Sequence, residues 1–200
     1  MSTLSDVSLL IAENAVHLEL AREVFTTETR RFVESALGGV RRARSDPWTS
    51  GRIKVDLPDE IETESKAVAN LHSQFALARP YLRFKRQTKF VVVAEVPFGI
   101  VFDESANAFA WQVSLVPAAK YTRLDDVVWR AWLSAGVSLP DAKHQERANT
   151  VRFVSRAVSK DLSLETLFGD VKTALEFLLG LGEPLAEVVG LDEPDTADQP

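Results

Sequence analysis

The sequence predicts an α+β fold: an antiparallel meander of four or five strands, packed by a long N-terminal helix and a C-terminal group of helices. Three observations predict it. Apolar residues recur every seven positions at the start (Leu4, Ile11, Leu18, Phe25, Phe32). Apolar and polar residues alternate in short runs through the middle, and amphipathic helical stripes return after Pro117.

The first stripe, with Val7, Ala21, Val24, Ala36 and Leu37 beside it, predicts a helix from about Ser5 to Leu37. Such a helix is on the order of 50 Å long. Gly38-Gly39 is its expected end, since glycine adopts the left-handed cap conformation readily. Asn14, Glu28 and Ser35 interrupt the heptad seam, so packing on its own domain is preferred over a dimer through this helix.

Ser45 to Gly51 reads as a loop, and Arg52 to Leu57 as a short strand with Arg52, Lys54 and Asp56 on its polar face. Asp59, Glu60, Glu62 and Glu64 suit the first turn of a second helix, where the dipole favours anions. Its stripe is Ile61, Val68, Leu71, Phe75 and Ala78, and Pro80 closes it. Four strands follow: Tyr81 to Arg86, Lys89 to Val96, Phe98 to Asp103 and Ala108 to Val116. Pro97 with Gly99 marks a bend or bulge between two of them, and Glu104 to Asn107 is of hairpin length.

After Pro117 the pattern is helical. Thr122 opens a helix with Leu124, Val127, Val128 and Ala131 inward, ending at Gly136. Val151, Val154 and Val158 fit a helix within Pro140 to Ser159, although Thr150 to Val158 also fits a strand; the helix is preferred. Ser163 caps a last amphipathic helix through Leu178, stopped by Gly180 and Gly182. Residues 1–191 are therefore expected to form one α+β domain: a helix over about 5–37, a sheet region over about 52–116 and a helical region over about 122–190. Residues 192–200, rich in Asp and Pro, are expected to be a disordered acidic tail.

The 200 residues are 46% apolar and 26% charged, enough for a core without a staple. With no cysteine, a disulfide scaffold, a Cys-ligated zinc and a thiol nucleophile are excluded. Met1 to Asp6 has no basic segment and no long apolar run follows, so a cytoplasmic protein without a membrane span is expected. The net charge of −6 is unevenly spread: residues 161–200 carry ten acids and one base (Lys172), leaving the first 160 residues basic.

Motifs for catalysis are missing. There is no Gly-Lys-Ser/Thr, and Gly180-Leu181-Gly182 follows a helix instead of a strand. Gly136-Val137-Ser138 lacks the second glycine of a nucleophile elbow. His17, His72 and His144 fall on three predicted helices without a metal-binding spacing. Asp56 followed by Glu64-Ser65-Lys66 contains the parts of a Mg²⁺-dependent nuclease. That chemistry needs Glu and Lys on one side of a strand, whereas i and i+2 diverge by about 200° on a helix. A nuclease is thus the weakest reading, and no catalytic residue, metal or cofactor is predicted.

The residues left are binding candidates. Arg79, Arg83, Lys85, Arg86 and Lys89 crowd one strand together with Tyr81, Phe84 and Phe90. Cations interleaved with aromatics suit a phosphate backbone with stacked bases, or an acidic partner such as the C-terminal segment. Arg152 and Arg156 add two cations on one helical face at i, i+4. Trp129 and Trp132, three apart on an apolar helix, offer an aromatic patch to a protein partner. Together these predict a non-catalytic interaction protein, an adaptor or subunit that docks on another protein or on a second copy of itself. The alternative is a nucleic-acid-binding accessory protein using residues 79–89.

Overall fold

A computed structural model describes residues 6–61, 76–103, 106–135, 143–145 and 149–189. Helix α1 (Asp6–Arg42) comes first, followed by β1 (Thr49–Ser50), β2 (Ile53–Asp56), β3 (Ala76–Ala78), β4 (Tyr81–Arg86), β5 (Lys89–Glu95), β6 (Phe98–Asp103) and β7 (Ala108–Pro117). A 3₁₀ turn (Ala119–Tyr121) leads into α2 (Leu124–Ser134), then β8 (Lys143–Gln145), β9 (Thr150–Ala157), α3 (Leu164–Gly180) and α4 (Gly182–Val189).

The expected α+β class is what forms, with an antiparallel sheet, an N-terminal helix and C-terminal helices. The expected size of the sheet is wrong. Among the described residues it has nine strand segments and curls into a half-barrel, instead of a four- or five-stranded meander. Register shows why nine segments behave as fewer strands. The register is the same from Ala76↔Ile100 to Leu82↔Ala94, so β3 and β4 act as one strand bent at Pro80. It is equally constant from Ala94↔Pro117 to Asp103↔Ala108, so β5 and β6 act as one strand bent at Pro97. Proline cannot donate to a ladder, but both prolines accept: Val96 N–H donates to Pro80 O (2.8 Å) and Ser114 N–H to Pro97 O (3.0 Å). The bends curl the sheet around its core.

Two bulges add to the curl. Leu82 pairs with Ala94 and Arg83 with Val92, which leaves Val93 as an extra residue on β5. Val113 pairs with Val154 and Ser114 with Arg152, which leaves Phe153 as an extra residue on β9. At each bulge two adjacent residues are buried, Val93–Ala94 and Phe153–Val154. The second bulge corrects the helix expected over Pro140 to Ser159. Its described part forms β8 and β9, and His144 therefore sits on a strand. The extra residue breaks the two-residue alternation and spaces Val151 and Val154 three apart, which imitates a helical period.

Three further boundaries differ from expectation. The segment read as a loop before Gly51 contains β1, whose short hairpin with β2 turns at Gly51 (φ 55°). The helix expected to reach Ala78 does not, because Ala76–Ala78 is strand β3; its stripe at Val68, Leu71 and Phe75 lies outside the described residues. Helix α1 does not stop at Gly38-Gly39 but continues to Arg42. A Cβ built on Gly39 would lie 2.9 Å from Phe168 Cδ2 of α3, so this glycine serves close helix packing and not a cap. The strands at 81–86 and 98–103 have the expected limits, and Ser163 caps α3 by accepting from Thr166 N–H (3.2 Å). The expected stop at Gly136 and the acidic tail 192–200 lie outside the described residues.

Among the described residues α1, α2 and α3 pack against the sheet, and α4 packs on α2. Ile53, Phe84, Phe98, Trp111, Val113, Leu115 and Val154 point into that layer and are fully or almost fully buried. Trp132 of α2 packs against Phe153 (4.8 Å between ring centroids) and Phe177 (4.4 Å) at its centre. Asp125, in the first turn of α2, is buried as well. With its amide turned to donate, Asn149 reaches Asp125 Oδ2 and Thr122 O, each at 3.0 Å, tying α2 to the turn before β9.

The two α1 glycines make opposite predictions. A Cβ on Gly38 meets only the flexible Arg42 guanidinium (3.3 Å). Gly38→Ala should therefore gain up to about 1 kcal/mol from helix propensity. Gly39→Ala should lose about 1–3 kcal/mol by overpacking against Phe168. Urea unfolding of both variants checks this; equal stabilisation by the two would remove the packing role of Gly39.

Candidate interaction surfaces

Alternation on β4 sends Leu82 and Phe84 into the core and Tyr81, Arg83 and Lys85 to the outer face. The pairing of β4 with β2 then sets Arg83 beside Lys54 and close to Asp56. Arg83 Nε lies 2.5 Å from Asp56 Oδ2, and Lys54 Nζ lies 2.7 Å from Asp56 Oδ1. Arg79 Nη1 is 3.3 Å from Glu95 Oε2. Two of the five cations expected to form an open basic strand thus have their charge met by carboxylates of neighbouring strands. Lys85 and Lys89 are exposed, and Arg86 is half-buried, around the two-residue turn at Gln87-Thr88.

Sequence reasoning missed Arg52. It is exposed at the β1–β2 turn, and its carbonyl accepts from Lys85 N–H (2.7 Å), so the turns of two hairpins lie side by side. Among the described residues Arg52, Lys85 and Lys89 make no ion pair. The basic strand contracts to a basic tip. The signal for Arg52 was the alternation of β2; what was lacking was the partner strand.

Arg152 and Arg156 do not share a face, because they lie on a strand and the Phe153 bulge comes between them. Arg156 pairs opposite Trp111 on the helix-covered side, and Arg152 opposite Ser114 on the outer side. Arg156 meets Asp170 of α3 through two parallel hydrogen bonds, Nε to Oδ2 (2.8 Å) and Nη2 to Oδ1 (2.9 Å). Arg152 Nη1 donates to Asp103 Oδ2 (3.0 Å), which also accepts from Gln112 Nε2 and Ser155 Oγ at 3.4 Å each. This cluster borders a cleft of about 180 Å³ lined by Arg79, Gln112, Ser114 and Arg152. Three donors converge on one oxygen of Asp103, an arrangement that holds strands together.

The tryptophan pair is divided. Trp132 is 1% exposed in the core, whereas Trp129 is half-buried with Leu133 beside it, 60% exposed. The larger apolar exposure is on α1. From Asn14 to Val24 every described side chain is exposed except Arg22, including Leu20 (54%) and Val24 (62%). Phe25, one residue on, packs with its ring 5.1 Å from that of Phe109.

Of the residues weighed for chemistry, Asp56 is held by Arg83 and Lys54, and His17 is exposed on α1. Glu64, Lys66 and His72 lie outside the described residues. Among the described residues no group of three or more His, Asp or Glu could hold a metal ion, and no helix is long and apolar enough to cross a membrane.

The ion pairs predict a contrast in stability. Asp170→Ala removes both hydrogen bonds to the Arg156 guanidinium and should cost about 2–4 kcal/mol, below the range for a wholly buried pair because the guanidinium keeps some solvent contact. Lys85→Ala should change stability by less than about 0.5 kcal/mol. Thermal unfolding measures both, and a neutral Asp170→Ala contradicts the role given to the pair.

Compared with protein-family models, with curated proteins and with solved structures, the chain matches none.

Proposed function

We propose that this chain is a non-catalytic interaction protein, an adaptor or subunit of a larger assembly, whose docking element is the part of α1 around Leu20 and Val24. The observation that supports this is the exposure of Leu20 and Val24, each more than half open to solvent on a stretch whose described side chains are exposed except Arg22. Helices in proteins draw most of their stability from packing an amphipathic face, and a stretch of this length is marginal alone in water. Leu20 and Val24 stand at i, i+4 and form one short apolar ridge. Glu19, Glu23, Glu28 and Arg31 surround it as a polar rim, with Arg31 bonded to Glu28 at 2.7 Å. A ridge of this kind suits an apolar groove on another protein, or the same ridge on a second copy. A cytoplasmic site of action is part of this proposal and accords with the absence of cysteine.

A second reading, nucleic-acid binding, draws support from the basic tip, where Arg52, Lys85 and Lys89 have no ion pair among the described residues. Against it, Arg79, Arg83, Arg152 and Arg156 are already matched by carboxylates, so their release to phosphate costs an ion pair each.

Replacing both Leu20 and Val24 by Glu separates these readings. Since both side chains face solvent, stability should stay within about 0.5 kcal/mol. The complex formed by the full chain in extract of its own cells, sized by light scattering after gel filtration, should fall to the mass of the monomer. An unchanged complex sinks the α1 reading, and a complex that nuclease dissolves supports the tip instead.

A further inference from the structure

We infer that the basic tip formed by Arg52, Lys85 and Lys89 is a docking surface for the chain's own acidic segment, residues 190–200. The inference is independent of the α1 reading. Three observations lead to it: charge, position and length.

The tip gathers cations from two hairpin turns, with Arg86 alongside, and Arg52, Lys85 and Lys89 have no ion pair among the described residues. Register puts Arg52 and Lys85 on the outer face and Lys89, opposite Arg86, on the other. The remaining outer cations of this half of the sheet are matched, Lys54 and Arg83 by Asp56 and Arg79 by Glu95. The segment after Val189 carries Asp192, Glu193, Asp195 and Asp198 and no base. It holds four of the ten acids in the strongly acidic last forty residues.

Position brings the two together. The junction of α3 and α4 lies against the β1–β2 turn, where Leu179, Gly180, Gly182 and Ala186 share a cavity of about 290 Å³ with Ser50, Gly51, Arg52 and Phe84. Helix α4 ends at Val189, within one turn of Ala186, or about 4.5 Å along its axis. The nine residues from Gly190 to Asp198 span up to about 30 Å when extended. Asp192 therefore comes within reach of Arg52, and the later acids within reach of Lys85 and Lys89. Held on one chain, the acidic segment has a high effective concentration at the tip and competes with any acidic partner for it. Exposed charges of this kind are screened within about 8 Å at physiological ionic strength, so the contact is salt-sensitive.

Reciprocal charge changes in the full chain, followed by amide NMR, test the inference. Neutralising the segment (Asp192→Asn, Glu193→Gln, Asp195→Asn, Asp198→Asn) should shift the amides of Gly51, Arg52 and Lys85 to Lys89. Reversing the tip (Lys85→Glu with Lys89→Glu) should shift those of residues 192–198. Raising the salt to a Debye length near 3 Å, about 1 M, should reproduce both sets in the unaltered protein. Shifts confined to the neighbours of each substitution overturn it. Tip shifts that grow with protein concentration assign the tip to a second copy, and tip amides that answer only to a single-stranded oligonucleotide assign it to nucleic acid. Either result also overturns it.

Discussion

Arg156 and Asp170 meet through two hydrogen bonds of 2.8 and 2.9 Å on the face of the sheet that the helices cover, and this contact organises much of the molecule. It joins β9, which reaches the sheet only after the whole of α2, to α3, which lies over β1, β2 and β7. The contact exists because Phe153 is one residue too many for the ladder. Without the bulge, alternation would place Arg152 and Arg156 on the same side. With it, one arginine stitches the sheet to the helices and the other joins Gln112 and Ser155 as a donor to Asp103 on the outer face. Phe153 itself fills the core beside Trp132 and Phe177.

The same accounting extends across the sheet. Cations and carboxylates meet across the sheet: Arg83 with Asp56 and Arg79 with Glu95 from neighbouring strands, and Arg152 of β9 with Asp103 of β6 across the intervening β7. The first two, partly exposed, add little stability individually, but all three fix which surfaces carry unbalanced charge. Two regions escape the balance. At the turns of two hairpins Arg52, Lys85 and Lys89 make no ion pair among the described residues, and on α1 Leu20 and Val24 stand exposed. One region offers charge and the other offers apolar surface, which are the ingredients of recognition more than of reaction.

Much of the fold was legible because it follows two periods. Alternation marked Tyr81 to Arg86 and Phe98 to Asp103, and the stripe closed by a serine cap marked α3. The failures have physical causes. The Phe153 bulge turned a strand into an apparent helix; the bends at Pro80 and Pro97 hid the true length of two strands; and Gly39 was read as a stop when it makes room for Phe168. The interaction surfaces were legible by composition and not by arrangement. Lys85 and Lys89 were found as cations on a strand. That Arg79 and Arg83 would be neutralised, and Arg52 recruited, depends on pairing between strands distant in sequence.

Hydrogen exchange of the arginine Nε–H groups, resolved by NMR, tests the central place of the bulge and its ion pair most directly. Arg156, held by Asp170 under the helices, should exchange far more slowly than Arg52 at the exposed turn, and Asp170→Asn should remove most of that protection. Equal rates for Arg156 and Arg52 would contradict the account, because Arg156 would then face solvent and β9 would lack the register described here.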